Sequence, residues 1–165
     1  MPRMTERERV VTGAIVNELA VAARYGLELV ATELRAAGVE PEEYGFLSFV
    51  GTLQPVTRTQ LAEATGMRRT TLRDAIRRLI ERGHVREDPH PHDGRSTLLV
   101  LTPAGQRIFD RGLPAFLRAL GALNEALGGR VDEHEQAVWR VRVALQELTL
   151  RARPGELGGT EGASC

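Results

Sequence analysis

Lysine is missing altogether: the 22 basic residues of this 165-residue chain are all arginine. They face 22 Asp and Glu, so the net charge at pH 7 is zero and overall composition implies no polyanionic partner. Any argument for nucleic acid must rest on where the charges sit. The arginine bias is what a GC-rich genome produces and carries no functional reading. Cysteine is nearly absent. Cys165, the last residue, excludes an intramolecular disulfide and a thiolate metal cluster. In a Gly-rich segment it also lacks the electropositive surroundings that would make it a redox sensor. No apolar run approaches the roughly 20 residues needed to span a bilayer. Met1 to Arg9 is charged and without the apolar centre of a signal peptide, so a cytoplasmic location is expected. Phosphate-binding glycine loops, zinc-protease helices, nucleophile elbows and carboxylate pairs with a base partner are not found. An enzyme is therefore not expected, and no cofactor is implied.

What is present is Ala, Leu, Val and Arg, with few aromatics, a composition suited to helices packed on helices. From about Thr5 to Ala37 apolar residues recur at helical spacing (Val11, Ile15, Leu19, Ala22, then Leu27, Val30, Leu34), followed by Gly38 as a C-cap. Pro41 to Leu53 reads as a second helix, apolar on most sides and hence expected to be buried in the middle of the fold. After a break at Gln54-Pro55-Val56, Thr57 and Gln60 have the spacing of a capping box on a short helix ending at Gly66. Arg69 to Arg82 is a further helix, ended by Gly83. The period then changes to that of two strands, Val85–Asp88 and Ser96–Leu101, around a turn-forming Pro89-His90-Pro91-His92-Asp93-Gly94. Thr102-Pro103 starts a helix to about Leu127, stopped by Gly128-Gly129. A last helix is expected from Asp132, which forms a second capping-box pair with Glu135, and carries Val138, Val141, Leu145 and Leu148 on one stripe. Residues 154–165 have too little apolar content to fold and read as a disordered tail.

The informative segment is Thr57 to Leu101. Two short helices separated by Gly66-Met67 make a helix-turn-helix, whose second helix is the one able to lie in a major groove. Leu72, Ile76 and Leu79 share one face of it. Thr70, Asp74, Arg77 and Glu81 lie around the other, flanked by Arg73 and Arg78. Between Met67 and Arg82 six arginines meet only Asp74 and Glu81, an excess of four positive charges. Arginine bonds a guanine edge through two parallel N–H groups or grips a phosphate, and Thr70 and Thr71 at the helix start add phosphate donors. A solvated amphipathic helix would look similar by itself. The following hairpin, with Arg95 beside an Asp-Gly turn, is what a wing needs to reach an adjacent groove.

The run from Leu61 through Ala-Glu-Ala-Thr-Gly-Met-Arg-Arg-Thr-Thr-Leu to Leu79-Ile-Glu-Arg-Gly-His-Val resembles the helix-turn-helix of the MarR family of bacterial regulators. Asp93-Gly-Arg-Ser-Thr-Leu-Leu-Val-Leu-Thr is similar to that family's wing. The resemblance is ungapped from about Thr57 to Gly105, and the helix order fits from about residue 6 to 150. It implies a mainly α fold with a small β-hairpin wing: a winged helix-turn-helix lobe at 41–101, dimerisation helices at 5–37 and 103–151, and a single domain over 1–153. It further implies a cytoplasmic homodimer on pseudo-palindromic double-stranded DNA, usually a repressor, often released by a small-molecule effector. By position, Arg68, Arg69, Thr70, Thr71, Arg73, Asp74 and Arg77 would face the major groove, with Arg95 as the wing arginine oriented by Asp93. Three positions depart from the pattern. Arg68 replaces the usual Ser or Thr cap. Asp74 stands where a polar or basic residue is common, reading cytosine or, the favoured expectation, pairing with Arg77 or Arg78. His84 replaces a commonly apolar residue.

Tyr25, Tyr44, Phe46 and Phe49, with Trp139, are candidates for lining an effector pocket, against the ordinary expectation that aromatics at helical spacing are core. His90, His92 and Asp93 have a metal-like look, but two histidines on a loop tip more often face solvent or phosphate. Zero net charge and the absent cap at Arg68 keep an alternative open: a winged-helix dimer serving as a protein-interaction or small-molecule-binding module.

Overall fold

The computed structural model describes residues 15–152; Thr5, Val11, the 154–165 segment and Cys165 lie outside the described residues. The elements are α1 (Ile15–Ala36), α2 (Pro41–Leu53), β1 (Val56–Thr57), α3 (Arg58–Thr65), α4 (Arg69–Glu81), β2 (Val85–Pro89), β3 (Thr97–Leu101), α5 (Pro103–Ala126) and α6 (Val131–Ala152). The architecture is mainly helical with one small antiparallel sheet.

Local signals account for most boundaries. Gly38, Gly66 and Gly83 end their helices at positive φ, a region that costs a Cβ-bearing residue energy. Thr57 forms a full capping box: its hydroxyl accepts the Gln60 amide at 3.2 Å, and the Gln60 side chain accepts the Thr57 amide at 2.9 Å. Thr57→Ala is accordingly expected to remove about 1 kcal/mol of stability. That should appear as a lower urea midpoint at unchanged slope; an unmoved midpoint would mean that the box contributes nothing. Thr102 caps α5 by accepting the Gly105 amide at 3.1 Å, and its hydroxyl donates to the Gly83 carbonyl at 2.6 Å. One side chain thereby ties the start of α5 to the end of α4.

The packing has two centres. Leu47, Val50, Val56, Leu61, Leu72, Ile76, Leu79, Val85, Leu99 and Leu101 bury one face of each lobe element against the others. A smaller cluster of Leu34, Val39, Tyr44 and Ala115 joins α1, α2 and α5. Ile108 and Phe109 pack against both, so α5 links the lobe to the long helices.

Three expectations change, and one further feature of α6 emerges. Val56, read as part of a break, and Thr57, read only as a cap, form β1 and pair with Leu99 and Leu98, giving a three-stranded sheet in the order β1-β3-β2. A two-residue strand has no period to betray it. α2 is not buried on most sides: Tyr44, Leu47 and Val50 are buried, but Phe49 and Leu53 remain 40% and 41% exposed, because their face opens into a cavity. α6 starts at Val131, so Asp132 sits inside the first turn and cannot cap it; the Val131 amide instead donates to Asn124 Oδ1 at 3.3 Å. Finally, none of the described side chains of α6 is buried, and no other element packs extensively on it.

Candidate nucleic-acid interface

The lobe presents α4 on an apolar footing. Leu72, Ala75, Ile76 and Leu79 are buried, and at 100° per residue Thr70, Asp74, Arg77 and Glu81 fall within a wedge of about 60° on the opposite side. Arg68 stands at the N-cap with extended backbone and makes no capping bond, so the first-turn amides stay available to an acceptor from outside. Arg68, Arg69, Thr70, Thr71, Arg73 and Arg77 are all exposed, and Asp74 is partly so.

Ion pairing sorts the arginines of the lobe into two groups. Arg77 Nη2 lies 3.3 Å from Asp74 Oδ1 and Arg77 Nε 3.8 Å from Glu81 Oε1. Asp74 is thus paired, as favoured from sequence, and its partner is Arg77. Arg82 lies 3.8 Å from Glu43, Arg86 forms a two-point pair with Asp88 at 3.0 Å, and Arg58 bonds Glu87. Arg68, Arg73, Arg78 and Arg95, by contrast, make no ion pair among the described residues. These four are the uncompensated cations of the lobe, and such charges are the ones free to replace counterions on a polyanion.

The wing is built more tightly than its sequence suggests. Glu87 of β2 accepts from both Arg58 of α3 and Thr97 Oγ1 of β3, the latter at 3.1 Å, and so joins the hairpin to the first helix of the helix-turn-helix. Nothing in the spacing of Arg58 and Glu87 announces this pair; only the three-stranded sheet brings them together. At the tip, Asp93 Oδ1 accepts the backbone amide of Arg95 at 3.0 Å. The carboxylate therefore shapes the turn rather than holding the guanidinium, which remains without a partner. His90 and His92 face each other edge to face, ring centroids 6.4 Å apart, and the His92 amide donates to His90 Nδ1. Among the described residues no group of three or more His, Cys, Asp or Glu is gathered to hold a metal.

His84, just before β2, is largely enclosed. Its Nδ1 lies 3.2 Å from Glu43 Oε1 but without hydrogen-bond alignment. Its backbone is fully engaged, the amide donating to the Leu79 carbonyl and the carbonyl accepting the Thr102 amide. Gln54 performs a similar joining role. Its Oε1 accepts the Leu101 amide at 2.8 Å and its Nε2 donates to Gln106 Oε1 at 3.2 Å, connecting α2, β3 and α5.

Between α1, α2 and α5 lies an open, mainly apolar cavity of about 990 Å³. Of the four aromatic candidates, Tyr44 and Phe49 line it. Tyr25 does not: it is 75% exposed, on a part of α1 turned away from the cavity. Phe46 does not either, since the far side of α2 carries it into the lobe core. Phe109 and Phe116, from α5, complete the lining and were not singled out from sequence. Tyr44 is wedged between Phe109, with ring centroids 6.4 Å apart, and Gly112. Burial pushes the pKa of its hydroxyl above the usual tyrosine value, so it stays a proton donor. Trp139, on α6, is 56% exposed and lines no part of the cavity. Among the described residues no helix is long and apolar enough to cross a membrane.

A helix-turn-helix whose second helix is exposed and arginine-rich, followed by a braced hairpin, defines a winged helix-turn-helix protein. Residues 37–96 match the model of the MarR family. Solved structures share the fold over nearly the whole chain. A MarR family transcriptional regulator from Streptomyces coelicolor in complex with DNA is 24% identical, with 99% of this chain and 97% of that one covered and a TM-score of 0.61. A MarR family regulator from Listeria monocytogenes complexed with 26mer DNA is 18% identical, covering 88% and 98%, with a TM-score of 0.70. The M. tuberculosis regulator MOSR, in complex with DNA, is 21% identical, covering 85% and 98%, with a TM-score of 0.63. At these identities the likeness is one of fold. Among curated proteins no relative matches.

Proposed function

We propose that the chain is a DNA-binding transcriptional regulator, acting in the cytoplasm as a homodimer on a pseudo-palindromic operator. The observation that carries this reading is the division of charge on the lobe. In a chain of zero net charge, the lobe arginines that make no ion pair among the described residues (Arg68, Arg73, Arg78 and Arg95) stand along α4, at its N-cap and at the wing tip, the two places a winged helix offers to DNA. Several proteins sharing the fold were crystallised with DNA, which supports the same reading. A second copy is the natural cover for α6, whose stripe of Val138, Leu145 and Leu148 is exposed among the described residues. The usual behaviour of the family favours repression, relieved when a small apolar or aromatic effector enters the cavity beside Tyr44 and Phe49.

The test is a titration of labelled duplex from upstream of the protein's own gene, with scrambled DNA as competitor, across salt concentrations. Specific binding should weaken steeply with salt, since each neutralised phosphate releases a counterion. Arg95→Ala should lower affinity about tenfold and flatten the salt dependence by roughly one phosphate contact. Binding that is insensitive to salt and to Arg95 alike, on this duplex and on genomic fragments, would sink the reading and favour a protein-interaction module.

A further inference from the structure

The most outward stripe of α4 presents two carboxylates, which is unexpected on a surface meant for a polyanion. Asp74 and Glu81 lie on it, one turn to either side of Arg77, and both face that one guanidinium. Asp74 lies 3.3 Å from Nη2 and Glu81 3.8 Å from Nε, so both carboxylates stand on the Nε/Nη2 side of the group. The end of the group formed by Nη1 and the outer hydrogen of Nη2 lies away from these two closest contacts and carries a pair of parallel donors.

This arrangement separates two kinds of arginine work. A guanidinium that grips phosphate gains nothing from neighbouring carboxylates, which repel the phosphate and lower the local potential. Arginines suited to that role are the unpaired Arg68, Arg73 and Arg78. A guanidinium that reads a base needs its two donors held at a fixed height and direction, because guanine O6 and N7 accept them in parallel. Two carboxylates paired with its Nε/Nη2 side bias it toward one position, and they penalise a wrongly placed backbone.

We propose that Arg77 reads a guanine in the major groove, with Asp74 and Glu81 as positioning residues that hold its fork and raise discrimination at the expense of affinity. The proposal rests on the DNA-binding reading above and goes beyond it by assigning which arginine reads sequence.

The experiment starts from duplexes selected by the wild-type dimer from a random library. Affinities are then measured for every single-base variant of the preferred duplex, and for scrambled DNA, at two salt concentrations. Proteins compared are the wild type, Arg77→Ala, Arg77→Lys, the double variant Asp74→Asn with Glu81→Gln, and Arg95→Ala, each checked for unchanged helix content. Arg77→Ala should abolish a preference for guanine of about tenfold at one position in each half-site. Arg77→Lys should keep the salt dependence yet not restore that preference, because an ammonium has no fork. The double variant should bind scrambled DNA several-fold more tightly while its guanine preference falls several-fold.

Three results would overturn the proposal while leaving the DNA reading intact: an undiminished preference in Arg77→Ala, full rescue by lysine, or a double variant that tightens on all sequences equally. Loss of a cytosine preference in the double variant, with the guanine preference intact, would give the reading role to Asp74 and overturn it too. If the wild type selects no sequence and Arg95→Ala changes nothing, the DNA reading itself fails, and the assignment of Arg77 with it.

Discussion

Gly105→Ala is expected to cost about 3 kcal/mol or more, out of the 5–15 kcal/mol that holds a domain of this kind together. A Cβ at this position would stand 2.0 Å from the His84 carbonyl oxygen and 2.9 Å from its carbon. Neither group has room to retreat. The His84 carbonyl is bonded to the Thr102 amide at 3.0 Å, the His84 amide to the Leu79 carbonyl at 2.9 Å, and Thr102 is itself the cap of α5. Adding one methyl group therefore forces apart the junction of α4, β2 and α5, the place where the lobe meets the long helices. Urea unfolding of the purified variant measures the loss directly. Gly45→Ala is the internal control. It lies inside α2 with nothing within 4 Å of the added atom, and helix propensity alone should then raise stability by roughly 0.5–1 kcal/mol. Equal midpoints for wild type and Gly105→Ala would mean that the close approach does not exist in solution.

The second large effect concerns α6. A 22-residue helix with little tertiary packing is only marginally stable in water, and this one has Val138, Trp139 and Leu148 more than half exposed. Ile15 and Val16 of α1, together with Leu117, Leu120 and Leu123 of α5, are also open. In a symmetric dimer such surfaces cover one another, and stable interfaces bury about 800 Å² on each partner. Val138→Glu combined with Leu145→Glu places two charges on the α6 stripe, where burial without a partner is prohibitive. The expected outcome is a halved mass in sedimentation and reduced helix content. Operator affinity should fall by about a hundredfold, because the two half-sites would no longer be bound by one linked pair of lobes. A wild type that sediments as a monomer at micromolar concentration, with α6 still helical, would remove the dimer and the operator symmetry proposed with it.

Particular residues show which parts of this molecule were legible. The limits of α2, the capping box of Thr57 and Gln60, the cap at Thr102 with Pro103 behind it, and the stops at Gly38, Gly66 and Gly83 all follow from neighbours within four positions. The apolar face of α4 and the arginines opposite it were equally plain, because a helical period states which residues share a side. The same reasoning failed at Asp132. The structure starts α6 at Val131, whose amide donates to Oδ1 of Asn124, a residue seven positions back and outside the reach of a capping pattern.

By itself the sequence determined the order of helices, the hairpin after α4, the concentration of arginine on that helix, and a lobe recognisable as MarR-like. Each depends on interactions that reach no further than a turn or two along the chain. Only the tertiary structure decided that Glu87 ties the wing to Arg58, that Gln54 bonds Leu101 and Gln106, and that Val56 pairs with Leu99. It decided also that Tyr44 and Phe49 face the cavity while Tyr25 and Phe46 do not, and which arginines remain free of carboxylates. The physical reason is common to all of these. Periodicity says which side of an element is apolar, but what that side meets depends on partners tens of residues away, brought into contact by the packing of the whole chain.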